Sequence, residues 1–432
     1  MSGVVTINSG DLLNAIYPQL KPQITSEPEV AQQPYSYIVF TDGTRYYAKS
    51  GTTGQVELSS DDASVLLHTV VNRLKEKGGG RIFIRGGTYI LKTANKEFTE
   101  PNFQPRVAVY AEGVNNLEII CERNAYFKSA PGTNLTPFMF RSCTNLRWVG
   151  GIIDGDRANQ TYTGTEPQVG YVLGLWDCDN AIVRDVTLLN GITDNLVLTN
   201  WKGTPHHYYG ENITSKGARY DGIIVSGYYT TAELTNVKTE GNGVGIEHIS
   251  DNSKLILTNF SIDGLVCRQN VLLVAENGYV TPPGNTANTP LLFAATGPEF
   301  KGFIQNVVVE GANPSPANKC IYIAKGRLFL QNVRLYNSGG YGIEVRNDAV
   351  LTFIGGEVVN HPNYGIWLNG SNVVHKYSIV KGVRVTGCDV GIQLSNAQYC
   401  VVEGNVVYGN TTANIAQDTA SANNVIANNV TA

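Results

Sequence analysis

Nine times along the chain a small or polar residue is followed by an apolar one at a near-constant spacing: Asn195-Leu196, Gly222-Ile223, Gly245-Ile246, Asn270-Val271, Cys320-Ile321, Gly342-Ile343, Gly365-Ile366, Gly391-Ile392 and Asn414-Ile415. The steps are 27, 23, 25, 50, 22, 23, 26 and 23 residues. A second column keeps the same beat, with Asn212, Asn236, Asn259, Asn306, Asn332, Gly356, Gly382, Asn405 and Asn429 each opening a short apolar, alternating run. A fixed period holding two or more short strands marks a solenoid, whose unit cannot bury its own face and must stack on its neighbours.

Strands this short, a period well under the roughly 33 residues of helical arrays, and the lack of a leucine-rich or propeller consensus point to a parallel β-helix. Strand alternation then predicts Ile223, Ile246, Ile343, Ile366 and Ile392 as one inward ladder and Val225, Val345 and Leu394 as the next. Ile224, Glu247, Tyr322, Glu344, Trp367 and Gln393 are predicted to face out. Apolar outward residues, among them Ile224, Leu272, Tyr322 and Trp367, are expected under loops or in a subunit contact, because contiguous exposed apolar surface is rare on monomers. Glycine or asparagine at the head of a column suits a bend with positive φ or a close approach between coils.

Upstream of the columns, residues 1–34 lack periodicity and read as an arm, and Tyr37-Phe40, Asp42-Gly43 and Arg45-Ala48 read as a β-hairpin. From Asp61 or Asp62 to Lys77, Val65, Leu67, Val70, Val71 and Leu74 follow helical spacing, and Gly78 marks the stop. That helix is expected to cap the solenoid. The predicted organisation is an arm and hairpin over residues 1–59 and one β-helix of about a dozen coils over 60–432, with a loop excursion or extra coil inside the 50-residue step.

Composition narrows the function classes. Only 16% of residues are charged, and the net charge of −4 argues against a nucleic-acid backbone as partner. No run of 18 apolar residues marks a membrane span, and Met1 to Leu20 lacks the basic start and apolar core of a secretory signal. Either the chain stays inside the producing cell, is carried out on a particle, or had its leader removed; the expected location is extracellular or virion-associated, with no visible signal peptide. Seven cysteines without metal-ligand spacing read as buried thiols, and neither a metal nor another cofactor is expected.

The stretch from Asp61-Asp62-Ala63 to Gly78-Gly79-Gly80-Arg81-Ile82-Phe83-Ile84-Arg85-Gly86-Gly87-Thr88-Tyr89 resembles the opening of pectate-lyase-superfamily proteins, with its glycine turn and "PGTY"-like strand end. Gly150-Gly151-Ile152-Ile153-Asp154-Gly155 resembles that superfamily's "GGxIDG" turn. The resemblance implies an all-β, right-handed parallel β-helix, a pectin-lyase-like solenoid. It is far less specific for chemistry, since polygalacturonases, pectate lyases, other glycan hydrolases and viral tailspikes share the fold.

Polygalacturonases carry "NTD", "DD" and "GHG" motifs on three successive coils. Thr193-Asp194-Asn195 and Tyr220-Asp221-Gly222 match the first two in part, while Gly243-Val244-Gly245 has valine in place of the histidine. Equivalent positions on successive coils lie roughly 4.8 Å apart, so Asp194, Asp221 and Glu247 are expected within roughly 10 Å. Glycoside hydrolysis needs two carboxyls, roughly 5 to 5.5 Å apart for retention or 6.5 to 9.5 Å for inversion. The bland alternative is that Asp194 and Asp221 cap turns by accepting backbone amides. Arg219, His248 and Trp201 are the candidate binding groups, with His206, His207 and Tyr228 as groove walls and Asp156 and Arg157 as further contacts.

Two function classes follow. One is a polysaccharide-cleaving enzyme, most similar to a polygalacturonase-type glycoside hydrolase, with Asp221 as general acid and Asp194 or Glu247 as base. The other is a homotrimeric viral tailspike or surface protein that binds glycan with or without cleaving it. A polysaccharide lyase comes third, and in each case the partner is a polysaccharide, acidic glycans included.

Overall fold

The computed structural model describes residues 35–100, 104–161, 170–282, 300–311 and 318–431, together with the backbone of 292–294. The predicted arm, most of the Thr281 to Pro298 stretch and part of the Ala158 to Gln168 excursion lie outside the described residues. Residues 35–432 form one compact unit.

Each coil contributes one strand to a fourteen-stranded sheet and one or two to a twenty-five-stranded sheet. In the fourteen-stranded sheet all pairings are parallel except that of Lys96–Glu97 with Arg106–Glu112. The inward ladder is continuous, pairing Leu196, Ile223, Ile246, Leu265, Leu292, Ile321, Ile343, Ile366, Ile392 and Ile415 in register. Ile223, Ile246, Ile343, Ile366 and Ile392 are wholly buried, as are Val225, Val345 and Leu394. Each such side chain contributes about 1.5–3 kcal/mol on burial.

The pair Asn270-Val271 is not a rung. Val271 opens the strand Val271–Thr281 of the other sheet, and the rung is Leu265, because the coil after Ile246 is short. The long step is filled by an extra strand at Leu292–Ala294. Close approach, not φ, selects the glycines here: a Cβ on Gly222, Gly342, Gly365 or Gly391 would lie 2.4 to 2.6 Å from a carbonyl oxygen of the next coil.

The second column bends the other sheet. Asn212, Asn236, Asn259, Asn306 and Asn332 adopt φ of 51–53°, a left-handed conformation asparagine tolerates. Their amides form ladders, with Asn236 donating to Asn212 at 3.0 Å and Asn332 to Asn306 at 2.8 Å. At three positions the column slips by one: Gly355, Gly404 and Asn428 take the left-handed turn, while the predicted Gly356, Asn405 and Asn429 follow it. Asn405 is instead wholly buried, donating to the Val380 carbonyl at 3.0 Å.

The helix spans Ala63–Glu76, with the Asp62 side chain accepting from the Ser64 amide and Gly78 at φ +82° beyond its end. Leu66, Leu67, Val70, Val71 and Leu74 are buried, whereas Val65 is exposed. Its apolar face packs against the first coil strand Arg106–Glu112 and the strands around it. Tyr37–Thr41, Tyr46–Ser50 and Val56–Ser60 form an antiparallel meander, one strand more than the predicted hairpin. Tyr37–Thr41 also pairs in parallel with Gly80–Ile84, so the unit begins at Tyr35 and the expected division at 59/60 falls inside it. All seven cysteines are free and buried. Among the described residues no helix is long and apolar enough to cross a membrane.

Candidate active site

Asp194 and Asp221 each stand two residues before a rung of the inward ladder, Leu196 and Ile223, and those rungs pair. The two aspartates therefore occupy one column. Asp221 pairs in turn with Val244, the position where the resemblance calls for histidine. Glu247 is not in that column. It lies three residues along the strand Val244–Asp251, pairing with Ile224 on one side and Val266 on the other.

All three acids share the outer face of the fourteen-stranded sheet and are little exposed. Asp221 and Glu247 are buried, at 6% and 8% exposure, although they face away from the core. Asp221 and Glu247 lie close enough for the Glu247 carboxyl to raise the Asp221 pKa. Burial, then the Asp194 and Glu247 charges, push the Asp221 carboxyl far above the ordinary carboxylate range. Asp194 is raised as well, mainly by burial, but its Oδ1 accepts the Asp221 backbone amide at 3.0 Å, which restrains the shift. Asp194 thus serves as a turn cap and as a member of the acid cluster at once.

A residue that the sequence reading missed completes the cluster. Arg268, at the end of the strand Leu265–Arg268, places its Nε 2.7 Å from Glu247 Oε1 and lowers the Asp221 pKa in part. On the other side stands an apolar wall of Val107, Tyr110, Met139, Tyr171 and Val197, with Trp176 and Ile224 packed against it. Tyr171 is buried and feels the Asp194 charge, which sets this wall beside the acids. Val197 of this wall pairs with Ile224, which pairs in turn with Glu247. The wall also partly covers the outward Ile224.

The remaining candidates divide between the site and the rest of the fold. Arg219 stacks its guanidinium over the Tyr220 ring at 5.4 Å. His248 is not a binding group: it pairs with Val225 and Cys267, points inward, is wholly buried and lies 2.8 Å from Ser253 Oγ. Burial lowers its pKa to about 3. His206 and His207, expected as groove walls, open the strand His206–Glu211 of the other sheet, with His206 buried and His207 3.8 Å from Asp179. Trp201 and Tyr228 are exposed and pack edge to face at 6.0 Å, but Trp201 follows the strand Leu196–Asn200 and Tyr228 ends the strand Asp221–Tyr228, at the end away from Asp221. Asp156 is a buried turn residue held by Lys128 at 3.2 Å and Asn159 at 2.9 Å, and Arg157 begins a short 3-10 turn behind it. Among the described residues no group of three or more His, Cys, Asp or Glu has the arrangement of a metal site.

Comparison with known proteins agrees on the fold. A family model described as "Right handed beta helix region" matches residues 319–432. No curated protein matches the chain in sequence. Among solved structures, the A-module of mannuronan C-5 epimerase AlgE6 from Azotobacter vinelandii is similar at 13% identity and a TM-score of 0.50, over 86% of this chain and 95% of that one. An N-terminal fragment of bacteriophage Phi29 gene product 12 is similar at 13% identity and 0.49, over 84% and 69%. The Agl-KA catalytic domain is similar at 12% identity and 0.49, over 85% and 66%. Identities this low speak for the fold alone, and the chain has a right-handed parallel β-helix fold.

Proposed function

We propose that the chain cleaves a polysaccharide by general acid-base catalysis, as a glycoside hydrolase of the polygalacturonase type. The observation that carries this reading is the Asp221–Glu247 carboxyl pair, buried on an outer sheet face beside Asp194. Such a group retains its proton near neutral pH and can deliver it to a leaving glycosidic oxygen. Asp194 or Glu247, ionised, then positions water or attacks. The fold-level neighbour, a mannuronan epimerase module, is compatible with work on polysaccharide but does not choose the reaction. The test is release of reducing ends from plant, algal and bacterial polysaccharides. Asp221→Asn and Asp194→Asn should each abolish release without lowering the melting temperature; variants that keep activity would remove these residues from the mechanism.

The exposed Trp201–Tyr228 pair favours a second reading, a tailspike-like surface protein that binds glycan and need not cut it. Under either reading the chain acts outside the producing cell or on a virion. Homotrimer formation belongs to the second reading and is checked by light scattering.

A further inference from the structure

The two outward columns that carry the acids continue down the same sheet face with different residues. The column of Asp194 and Asp221 is occupied later by Lys319, Tyr341 and Tyr364, each two residues before a rung. The column of Glu247 continues through Val266, Phe293, Tyr322, Glu344, Trp367 and Gln393. Glu344 stands four coils beyond Glu247, roughly 19 Å away at the strand spacing.

Around Glu344 the side chains form a fixed platform. Its carboxylate is wholly buried and held by Lys319 at 3.1 Å, Arg346 at 2.6 Å and Asn369 at 3.0 Å. Tyr341 stacks on Trp367 at 5.5 Å and 20°, and Tyr364 meets the same indole edge-on at 5.0 Å. Trp367 Nε1 donates to Ser395 Oγ at 3.1 Å, which fixes the ring. The Lys319 and Arg346 cations sit over the Tyr322 ring at 5.2 and 5.4 Å. The four aromatic rings remain part-exposed, and two cations face one carboxylate.

We infer that this platform is a second saccharide-binding subsite, which stacks a pyranose on Trp367 and Tyr341 and draws the negative charge of an acidic sugar toward Lys319 and Arg346. It rests on the polysaccharide reading above and narrows it to acidic glycans long enough to bridge the four coils. Rigid, half-exposed aromatic faces bind sugar rings at little entropic cost, and charge complementarity selects the acidic unit.

The experiment is calorimetric titration of the full chain with galacturonate, mannuronate and glucuronate oligomers and with neutral gluco-oligosaccharides. The expected result is salt-sensitive binding of an acidic oligomer, weakened about tenfold or more by Trp367→Ala and largely kept by Trp367→Phe, with the melting temperatures of these two variants unchanged, and reduced also by Lys319→Met. An unchanged affinity in Trp367→Ala, while wild type binds, overturns the subsite and leaves the acid cluster standing. Preference for neutral oligomers also overturns it. Failure of wild type to bind any probe overturns both readings, and a change of oligomeric state in Trp367→Ala would show the patch to be a subunit contact instead.

Discussion

Glu247 and Glu344 occupy one column of one sheet face, both buried, four coils apart, yet their surroundings oppose each other. Glu344 is matched by Lys319, Arg346 and Asn369, so its charge is compensated where it stands. Glu247 has Arg268 alone and shares its pocket with Asp221 and Asp194. Around Glu344 the cations outnumber the carboxylate. A cluster with three acids to one arginine lowers its energy by keeping a proton, and a kept proton is what acid catalysis uses.

The sharpest way to break the contrast is Asp221→Asn. Reducing-end release should fall about 10²- to 10⁴-fold. The stability sign is opposite to that of an ordinary core lesion. Asp221 has a folded pKa above its unfolded value, so its contribution is present below the unfolded carboxylate range and is lost as pH rises. The amide removes that loss, and the melting temperature at neutral pH should rise or hold.

Glu344→Gln should do the reverse, leaving two cations without their carboxylate. The cost should be about 2 to 4 kcal/mol by chemical denaturation, below the full value for a broken buried pair because Arg346 is 41% exposed. Glu247→Gln should be neutral or stabilising in the same assay. Equal losses in the two variants would erase the distinction.

A smaller effect concerns acid stability. His248, His361 and His375 are buried and neutral, with pKa values lowered from 6.5 to about 3, 4 and 4 by desolvation. Their contribution is complete above the unfolded value and is lost as pH falls from about 6.5 toward 4. Thermal melts should therefore drop over that window, less steeply in His375→Gln. The smallest effect is expected of Arg268→Ala: without the cation the Asp221 pKa rises further, and the alkaline limb of the rate profile should move to higher pH.

Much of this was legible in the sequence because backbone sterics wrote it there. Glycines at Gly222, Gly342, Gly365 and Gly391 mark contacts that admit no Cβ, and asparagines mark left-handed bends, so the period showed plainly. Single-residue slips at Gly356, Asn405 and Asn429 arose where two turn-compatible residues adjoin, as in Gly355-Gly356. The rung at Leu265 was missed because one coil shortens and Asn270-Val271 mimics the motif. In the site, Asp194 and Asp221 were legible from their fixed offset to the ladder. Arg268 was not, since its place beside Glu247 depends on the register of that short coil. The inward turn of His248 follows from its parity with Ile246, two residues before it on the same face.

The central claim is that the acid-rich patch keeps a proton at neutral pH. It is tested most directly by carbon-13 NMR titration of the side-chain carboxyls, with the Asp221 resonance assigned by its loss in Asp221→Asn. This carboxyl is expected to be still protonated at neutral pH and to titrate well above the ordinary range. An Asp221 resonance that titrates in the ordinary carboxylate range would contradict it.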